Sequence, residues 1–349
     1  MRILASLPVL TVALAAIAVA QTPTSPPAQP AARAAPGTPG SPIDGTLFHA
    51  QVLMSANGFS PGVIDGKFGE SFKLALRSFQ ESRGLERTGE LDAATRQALL
   101  AADRPSTVTV RLGSDDVLSQ YVYPFPTDPE KQADLQFLGY RNMLEKLAER
   151  YHTTPATIVA LNGPDALIGP GQTLRLPNIL PVSRDYDGVQ GKGAGVMNVL
   201  NVDGEQPQGD YVVVDKSEGV LKVYRGSASE DGDRQLIAAF PVTMGSKQYP
   251  LPIGRWKATT YAFLPPFKYQ PAILNNPKSD KELDLPPGPN GPVGVAWLDL
   301  TKEHYGIHGT NEPQTIGRAE SSGCIRMTNW DVMRLSRMMK PGFTAIFQA

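Results

Sequence analysis

Cys324 is the single cysteine in a chain of 349 residues. One thiol forms no internal disulfide, so the folded chain must be held by buried apolar surface without covalent cross-links. Hydrophobic residues make up 41% of the sequence, which is enough to build such cores, and the length suits two or three domains. The sequence therefore predicts a multidomain protein whose one thiol either has a chemical role or is buried and inert.

The balance of charge excludes one large class of partner. The formal net charge is −1, and acidic and basic residues are interspersed without long runs of one sign. Such a chain has no overall attraction to nucleic acid or to anionic lipid. We therefore expect no nucleic-acid partner.

The first residues predict export. A positive start and an apolar segment over residues 3–20 end in Ala18-Val19-Ala20, a pattern that signal peptidases cleave. An uncleaved membrane anchor is the alternative, because the apolar run is just long enough to span a bilayer, but Pro8 and the alanine content favour removal. We expect a signal peptide over residues 1–20, a Pro- and Ala-rich linker over 21–43, and a protein located in the periplasm.

Residues 44–102 have the pattern of a small helical module. Apolar residues at helical spacing predict a helix from about Glu70 to Arg83, and Asp92 is expected to cap a further helix. The runs Asp65-Gly66-x-Phe68-Gly69 and Thr88-Gly89-x-Leu91-Asp92-x-x-Thr95 resemble the peptidoglycan-binding-domain-1 family. The resemblance implies an all-α, three-helix module that binds the cell wall. The alternative is a helical spacer that has kept the fold and lost its ligand.

A second module is predicted over residues 134–180, after a polar connection over 103–134. Two short helices are expected, and the module ends in Pro170-Gly171-Gln172-Thr173-Leu174. This run, together with the pair Leu161-Asn162, resembles the close of a LysM domain, although the opening at 136–140 departs from the usual first strand. The resemblance implies an α+β module that faces glycan.

The remaining residues, 208–349, change to a β pattern. Short runs rich in β-branched and aromatic residues predict strands, and a turn after Asp215 predicts a hairpin. Thr328-x-x-Asp331 has the spacing of a helix capping box, followed by apolar residues that mark one buried stripe. A mostly antiparallel β domain with few helices is expected here.

The chemistry-bearing residues of this domain lie in two short segments. His308 stands sixteen residues before Cys324, a spacing that lets neighbouring strands bring a base to a thiol. Gly323 leaves room for a substrate carbonyl, and the amides around it are candidates to stabilise an oxyanion. If the chain is extended after Cys324, Arg326 projects on the same face and can hold a carboxylate. Among the aromatic residues, Tyr261 or Trp297 is a candidate to line the substrate groove around the thiol.

These segments resemble the catalytic domain of the L,D-transpeptidases, also called the YkuD family. His308-Gly309-Thr310 matches the base motif of the family, Cys324-Ile325-Arg326-Met327 matches its nucleophile motif, and Pro252-Ile253-Gly254-Arg255-Trp256 is similar to a third motif. The departure is Ser322, where the family most often has a second histidine. The resemblance implies that Cys324 is the nucleophile and His308 its base, with Gly309, Thr310, Ser322, Gly323 and Arg326 around the substrate.

The resemblance also implies a reaction. The thiol attacks the third residue of a peptidoglycan stem tetrapeptide and releases the terminal D-alanine. An amine of another stem then resolves the thioester and gives a 3–3 cross-link, or the acceptor is an amine on an envelope protein. Hydrolysis at the same site, as an L,D-carboxypeptidase or endopeptidase, is one alternative, and a non-catalytic wall-binding protein is another. Carbapenems are expected to modify Cys324.

The sequence gives little support for a metal site or for a serine nucleophile. His304 and His308 have a helical metal-pair spacing, but Gly306 lies between them and no acidic ligand stands at a suitable interval, so no metal or cofactor is expected. Serine attack from Ser321 or Ser322 requires a stronger base arrangement than one histidine without an evident acid partner.

Overall fold

The computed structural model describes residues 43–229, 232–246, 248–274, 277–318 and 323–349. The predicted signal peptide and all but the last residue of the predicted linker lie outside the described residues, as does Ser322. Every helix within the described ranges is too short or too polar to cross a membrane.

The helical module has the three predicted helices, α1 (Gly45–Ala56), α2 (Glu70–Ser82) and α3 (Ala93–Leu100). The expected helix from Glu70 is confirmed, and so is the cap by Asp92, whose side chain accepts a hydrogen bond from the Thr95 amide. The helices enclose a core in which Phe59 and Phe79 meet edge to face, with ring centroids 5.5 Å apart.

This module is joined to the β domain by hydrogen bonds as well as by apolar packing. The Ser60 amide donates to Ala239 O at 2.9 Å, and the Ser60 hydroxyl donates to the buried Asp331 carboxylate at 2.7 Å. The apolar cluster inside the helices continues onto the sheet through Tyr211, Val213 and Tyr224. The helical module is therefore docked on the β domain.

The middle of the chain forms an α+β unit made of β1 (Thr107–Arg111), α4 (Ser114–Val117), α5 (Pro129–Ala133), α6 (Met143–Arg150), α7 (Pro155–Asn162) and β2 (Thr173–Pro177). Strand β1 pairs antiparallel with β2 along its whole length. The polar connection predicted over 103–134 therefore includes the partner strand of β2. The two expected helices, α6 and α7, are present, while the LysM assignment stays a prediction.

The C-terminal domain begins with α8 (Gly193–Val199). Its further elements are β3 (Tyr211–Asp215), β4 (Val220–Gly226), β5 (Arg234–Pro241), β6 (Thr243–Met244), β7 (Gly254–Phe263), β8 (Phe267–Tyr269), β9 (Leu283–Leu285), β10 (Ala296–Leu300), β11 (Gly306–His308), β12 (Ile325–Arg326), α9 (Asn329–Met338) and β13 (Thr344–Gln348).

In the described residues one sheet has the strand order β5-β4-β3-β13-β7-β10-β11-β12-β6, and β8 and β9 form a separate hairpin. Strands β3 and β13 are parallel, as are β11 and β12, and the other pairs are antiparallel. The mostly antiparallel domain and the hairpin of β3 and β4 are confirmed.

Helix α9 packs on this sheet beside the strands that carry the candidate site. The predicted cap is present, since the Thr328 hydroxyl accepts from the Asp331 amide at 3.2 Å. Val332, Leu335 and Met339 form the predicted buried stripe, with no more than 2% of any of them exposed. The helix thereby closes the core behind β10 and β11.

Candidate active site

The parallel pair of β11 and β12 brings the two predicted motifs side by side. Ile307 lies opposite Ile325 and His308 lies opposite Arg326. Both isoleucines are fully buried in the core. Because side chains alternate along a strand, His308, Arg326 and Cys324 project from the other face of the sheet. The register thus places the predicted base, the predicted cation and the thiol on one surface.

These three side chains line one cavity of about 390 Å³. Trp297 and Val293 also line it, together with residues 265–269 and 273–274 from the segment that follows β7. Of the two aromatic candidates, Trp297 is in the wall. Tyr261 instead packs against the core, and its hydroxyl donates to Met339 O at 3.1 Å. The thiol, the imidazole and the indole of Trp297 therefore share one cavity.

His308 is held in one orientation by its own backbone. Its Nδ1 lies 2.7 Å from Gly309 O. A carbonyl oxygen only accepts, so Nδ1 carries the proton and Nε2 keeps a lone pair. Burial, together with the nearby charge of Arg326, lowers the pKa of His308 to about 3, although the hydrogen bond to Gly309 acts in the opposite direction. The imidazole is therefore neutral at physiological pH, and Nε2 is the atom whose lone pair can accept a proton.

Cys324 is half-buried at the start of β12. Its Sγ lies 3.6 Å from His304 O, within reach for a thiol to donate a weak hydrogen bond. Burial raises the pKa of the thiol, while the Gly306 amide and the charge of Arg326 act in the opposite direction. At neutral pH the sulfur is thus protonated, and attack requires a base to take that proton.

Gly323 and Arg326 flank the thiol on its own strand segment. Gly323 has φ of 99°, and a Cβ there would lie 2.7 Å from the Tyr305 ring. A side chain is thus excluded by both backbone and space. Arg326 is half-buried and lines the cavity, while its Nε is buried without a hydrogen-bond partner among the described residues. The guanidinium is a positive charge beside the thiol that can bind an anionic group entering the cavity.

Gly309 and Thr310 lie beneath the cavity wall. The Gly309 amide donates to Ala296 O at 3.2 Å. The Thr310 hydroxyl accepts from the Glu312 amide at 3.2 Å and is buried. Their contacts stabilise the turn that follows β11, and their predicted contact with substrate stays a prediction.

Sequence reasoning missed several residues that shape the site. Tyr305 packs against Gly323, and the segment after β7 supplies one cavity wall. The pair Pro265-Pro266 was a signal that the chain leaves β7 there, but it did not indicate where the segment goes. Asn329, the first residue of α9, lies behind the base. Nothing in the sequence pointed to it except that it follows Thr328, the predicted helix cap. No cluster of three metal-ligating side chains occurs in the described part of the chain.

Comparison with known proteins connects this geometry with two families. Residues 209–347 match the family model described as L,D-transpeptidase catalytic domain. Residues 48–99 match the model of a peptidoglycan binding domain.

Individual relatives cover different parts of the chain. A Bacillus licheniformis relative named as an L,D-transpeptidase, YkuD, is 57% identical over 56 residues, which is 16% of this chain and 34% of that protein. A Bacillus subtilis relative named as an L,D-transpeptidase, YqjB, is 30% identical over 146 residues, which is 40% of this chain and 72% of that protein. The chain spans about a third of the length of the first curated relatives it matches. Among solved structures, an L,D-transpeptidase from Mycobacterium smegmatis is 20% identical with a TM-score of 0.31, covering 40% of this chain and 58% of that one.

Proposed function

The chain belongs to the L,D-transpeptidase family, and from this we propose that it is a cysteine acyltransferase acting on peptidoglycan stem peptides. Cys324 is the nucleophile and His308 the general base. The observation that carries the proposal is the shared face of β11 and β12, on which a protonated thiol and a neutral, oriented imidazole line one cavity. This pairing of residue types is what covalent acyl transfer requires.

The proposed first step forms a thioester. The Cys324 sulfur attacks the carbonyl carbon of the third stem residue, and its proton passes to Nε2 of His308. When the tetrahedral intermediate collapses, the carbon–nitrogen bond breaks and the imidazolium returns that proton to the amine of the departing D-alanine. The Gly309 carbonyl, which accepts from Nδ1, keeps the ring oriented and stabilises its charged form during the step.

The proposed second step transfers the acyl group. An amine of another stem, or of an envelope protein, attacks the thioester while His308 takes its proton. The carbon–sulfur bond breaks, the thiol is restored, and a new amide remains. The first acceptor gives a 3–3 cross-link. Water in place of the amine gives hydrolysis with the same residues.

Arg326 is proposed to bind the terminal carboxylate of the donor. It lines the cavity beside Cys324, and its guanidinium supplies the positive charge that a carboxylate can bind there. The amides of Gly323 and Cys324 are proposed to stabilise the oxyanion, because they belong to the peptide groups next to the attacking sulfur. Together these groups hold the donor at both ends of the bond that breaks.

The accessory modules are proposed to keep the enzyme on its polymeric substrate. The helical module matches a peptidoglycan-binding family model, and the α+β unit carries the LysM-like closing segment. A domain that binds the wall raises the local concentration of stems at the cavity. This proposal includes export to the periplasm, where the substrate lies.

Intact-protein mass spectrometry with a carbapenem tests the proposal. The purified chain is expected to gain the mass of one carbapenem, Cys324→Ala to gain none, and His308→Gln to react much more slowly. A wild-type chain that stays unmodified would favour the non-catalytic wall-binding alternative. Incubation with purified stem tetrapeptides then separates transfer, which yields cross-linked dimers, from hydrolysis, which yields tripeptides.

A further inference from the structure

The side chain of Asn329 fixes the backbone behind the base. It is fully buried, and its Oδ1 accepts from the Val295 amide at 3.1 Å. The same oxygen lies against Gly309, since a Cβ built on that glycine would stand 2.2 Å from it. Gly309 is the residue whose carbonyl accepts from the imidazole of His308. A shift of the Asn329 amide would therefore displace the group that orients the base.

The other end of this amide is held from outside the β domain. Asn329 Nδ2 donates to Glu149 Oε1 at 2.8 Å, and more weakly to Pro289 O at 3.2 Å. Glu149 lies on α6 of the α+β unit and is itself buried. Its second oxygen is 3.0 Å from the Tyr140 hydroxyl. The α+β unit thus reaches the turn beneath the base through one buried carboxyl group.

Glu149 can make these contacts as a protonated, neutral carboxyl group. The pKa of Glu149 is raised to about 8, mainly by burial and also by the charge of Glu145. The hydrogen bonds from Asn329 and Tyr140 and the charge of Arg141 act in the opposite direction. The carboxyl group is consequently neutral at pH 7, and a glutamine has the same charge and nearly the same shape, with a carbonyl oxygen that can accept from Asn329.

We propose that Glu149 is a positioning residue of the active site, which holds the Asn329 amide so that the Gly309 carbonyl orients His308. The inference rests on the proposed function, in which His308 is the base. It extends that function by making the α+β unit a part of the catalytic apparatus in addition to any wall-binding role.

The test is the single-turnover rate at which a carbapenem acylates Cys324 in the full chain. Glu149→Met fills the same space but accepts no hydrogen bond from Asn329, so the limiting rate at saturating carbapenem is expected to fall at least tenfold. The concentration that gives half of that limiting rate is expected to stay unchanged, because Glu149 does not line the cavity.

Glu149→Gln is expected to restore the rate to within threefold of wild type. Asn329→Ala is expected to match Glu149→Met, and the double variant to lose no more than either single one.

Leu147→Ala is the matched control. Leu147 lies on the same helix and is also buried, but it packs into the core of the α+β unit. Its truncation is expected to lower the melting temperature and leave the acylation rate of the folded protein unchanged. If the wild-type chain is acylated, and Glu149→Met and Asn329→Ala are acylated at the same rate, the inference is overturned. The proposed function is then still intact. Failure of the wild-type chain to react refutes the proposed function itself.

Discussion

The indole of Trp297 lies over the imidazole of His308, with ring centroids 5.4 Å apart and planes inclined by 18°. The two residues are paired across β10 and β11. The indole is fixed from its far side, because Nε1 donates to the Asp299 carboxylate at 3.1 Å. Gly306 makes room for it, since a Cβ there would come within 2.4 Å of the ring. This stack excludes water from one face of the imidazole.

Trp297→Ala is expected to make the reaction sensitive to acid. Burial is the main cause of the low pKa of His308, so exposing the ring should raise that pKa toward its ordinary value. The carbapenem acylation rate should then fall in the variant between about pH 7 and 5, while the wild-type rate shows no such loss from imidazole protonation. Trp297→Phe, which keeps an aromatic cover, is the control. Parallel profiles for wild type and Trp297→Ala would show that the indole does not set the pKa.

Arg326→Gln is expected to weaken use of a donor that ends in a carboxylate. Loss of a charged hydrogen bond costs about 1.5–3 kcal/mol, which predicts a roughly ten- to hundredfold lower kcat/KM. A donor with a terminal carboxamide serves as the control, because it should be used almost equally by both proteins. Steady-state kinetics with the two donors measures the difference. An equal loss for both donors would indicate a general defect of the cavity instead of carboxylate binding.

The thiol of Cys324 is expected to be slow toward small electrophiles at neutral pH. Its pKa is raised by burial, so the alkylation rate by iodoacetamide should rise about tenfold per pH unit through the neutral range. Arg326→Gln should shift this profile to higher pH, because the charge of Arg326 lowers the pKa of the thiol. A rate that has already reached its plateau near pH 6 would instead reveal a preformed thiolate–imidazolium pair.

The parts of this site that the sequence predicts are those carried by local patterns. His308, Cys324 and Arg326 were predicted together, since the alternation of an extended strand puts residues 324 and 326 on one face whatever the partner strand is. Helix α2 was predicted because its apolar residues repeat at helical spacing, and α9 because Thr328 and Asp331 form its cap. Such signals need no knowledge of distant contacts.

The residues that were missed depend on contacts across the chain. Strand β1 has an indistinct burial pattern and pairs with a strand more than sixty residues later, so alternation alone did not reveal it. Glu149 sits on a charged, amphipathic helix, where a glutamate ordinarily faces water. Only the docking of α6 against α9 buries it beside Asn329. Trp297 was only a candidate, because nothing local indicates that Gly306 opens the space for its ring.

Glu149 also makes the stability of the fold depend on pH in a defined direction. Its pKa of about 8 in the folded chain lies above the ordinary value of 4.5, so the folded state keeps a proton that the unfolded state releases. The resulting stabilisation is fully present below about pH 4.5 and is lost as the pH rises through about 8. The gap between the two pKa values corresponds to on the order of 5 kcal/mol.

Urea unfolding between about pH 5 and 8.5 should therefore show a free energy of unfolding that falls in wild type relative to Glu149→Gln, which has no proton to release. Glu218→Gln is the control: the pKa of Glu218 is lowered, so its contribution is lost only at more acid pH and should stay constant across this range. A difference between wild type and Glu149→Gln that does not change with pH would show that the buried carboxyl group is ionised throughout, and that its contact with Asn329 is a charged one.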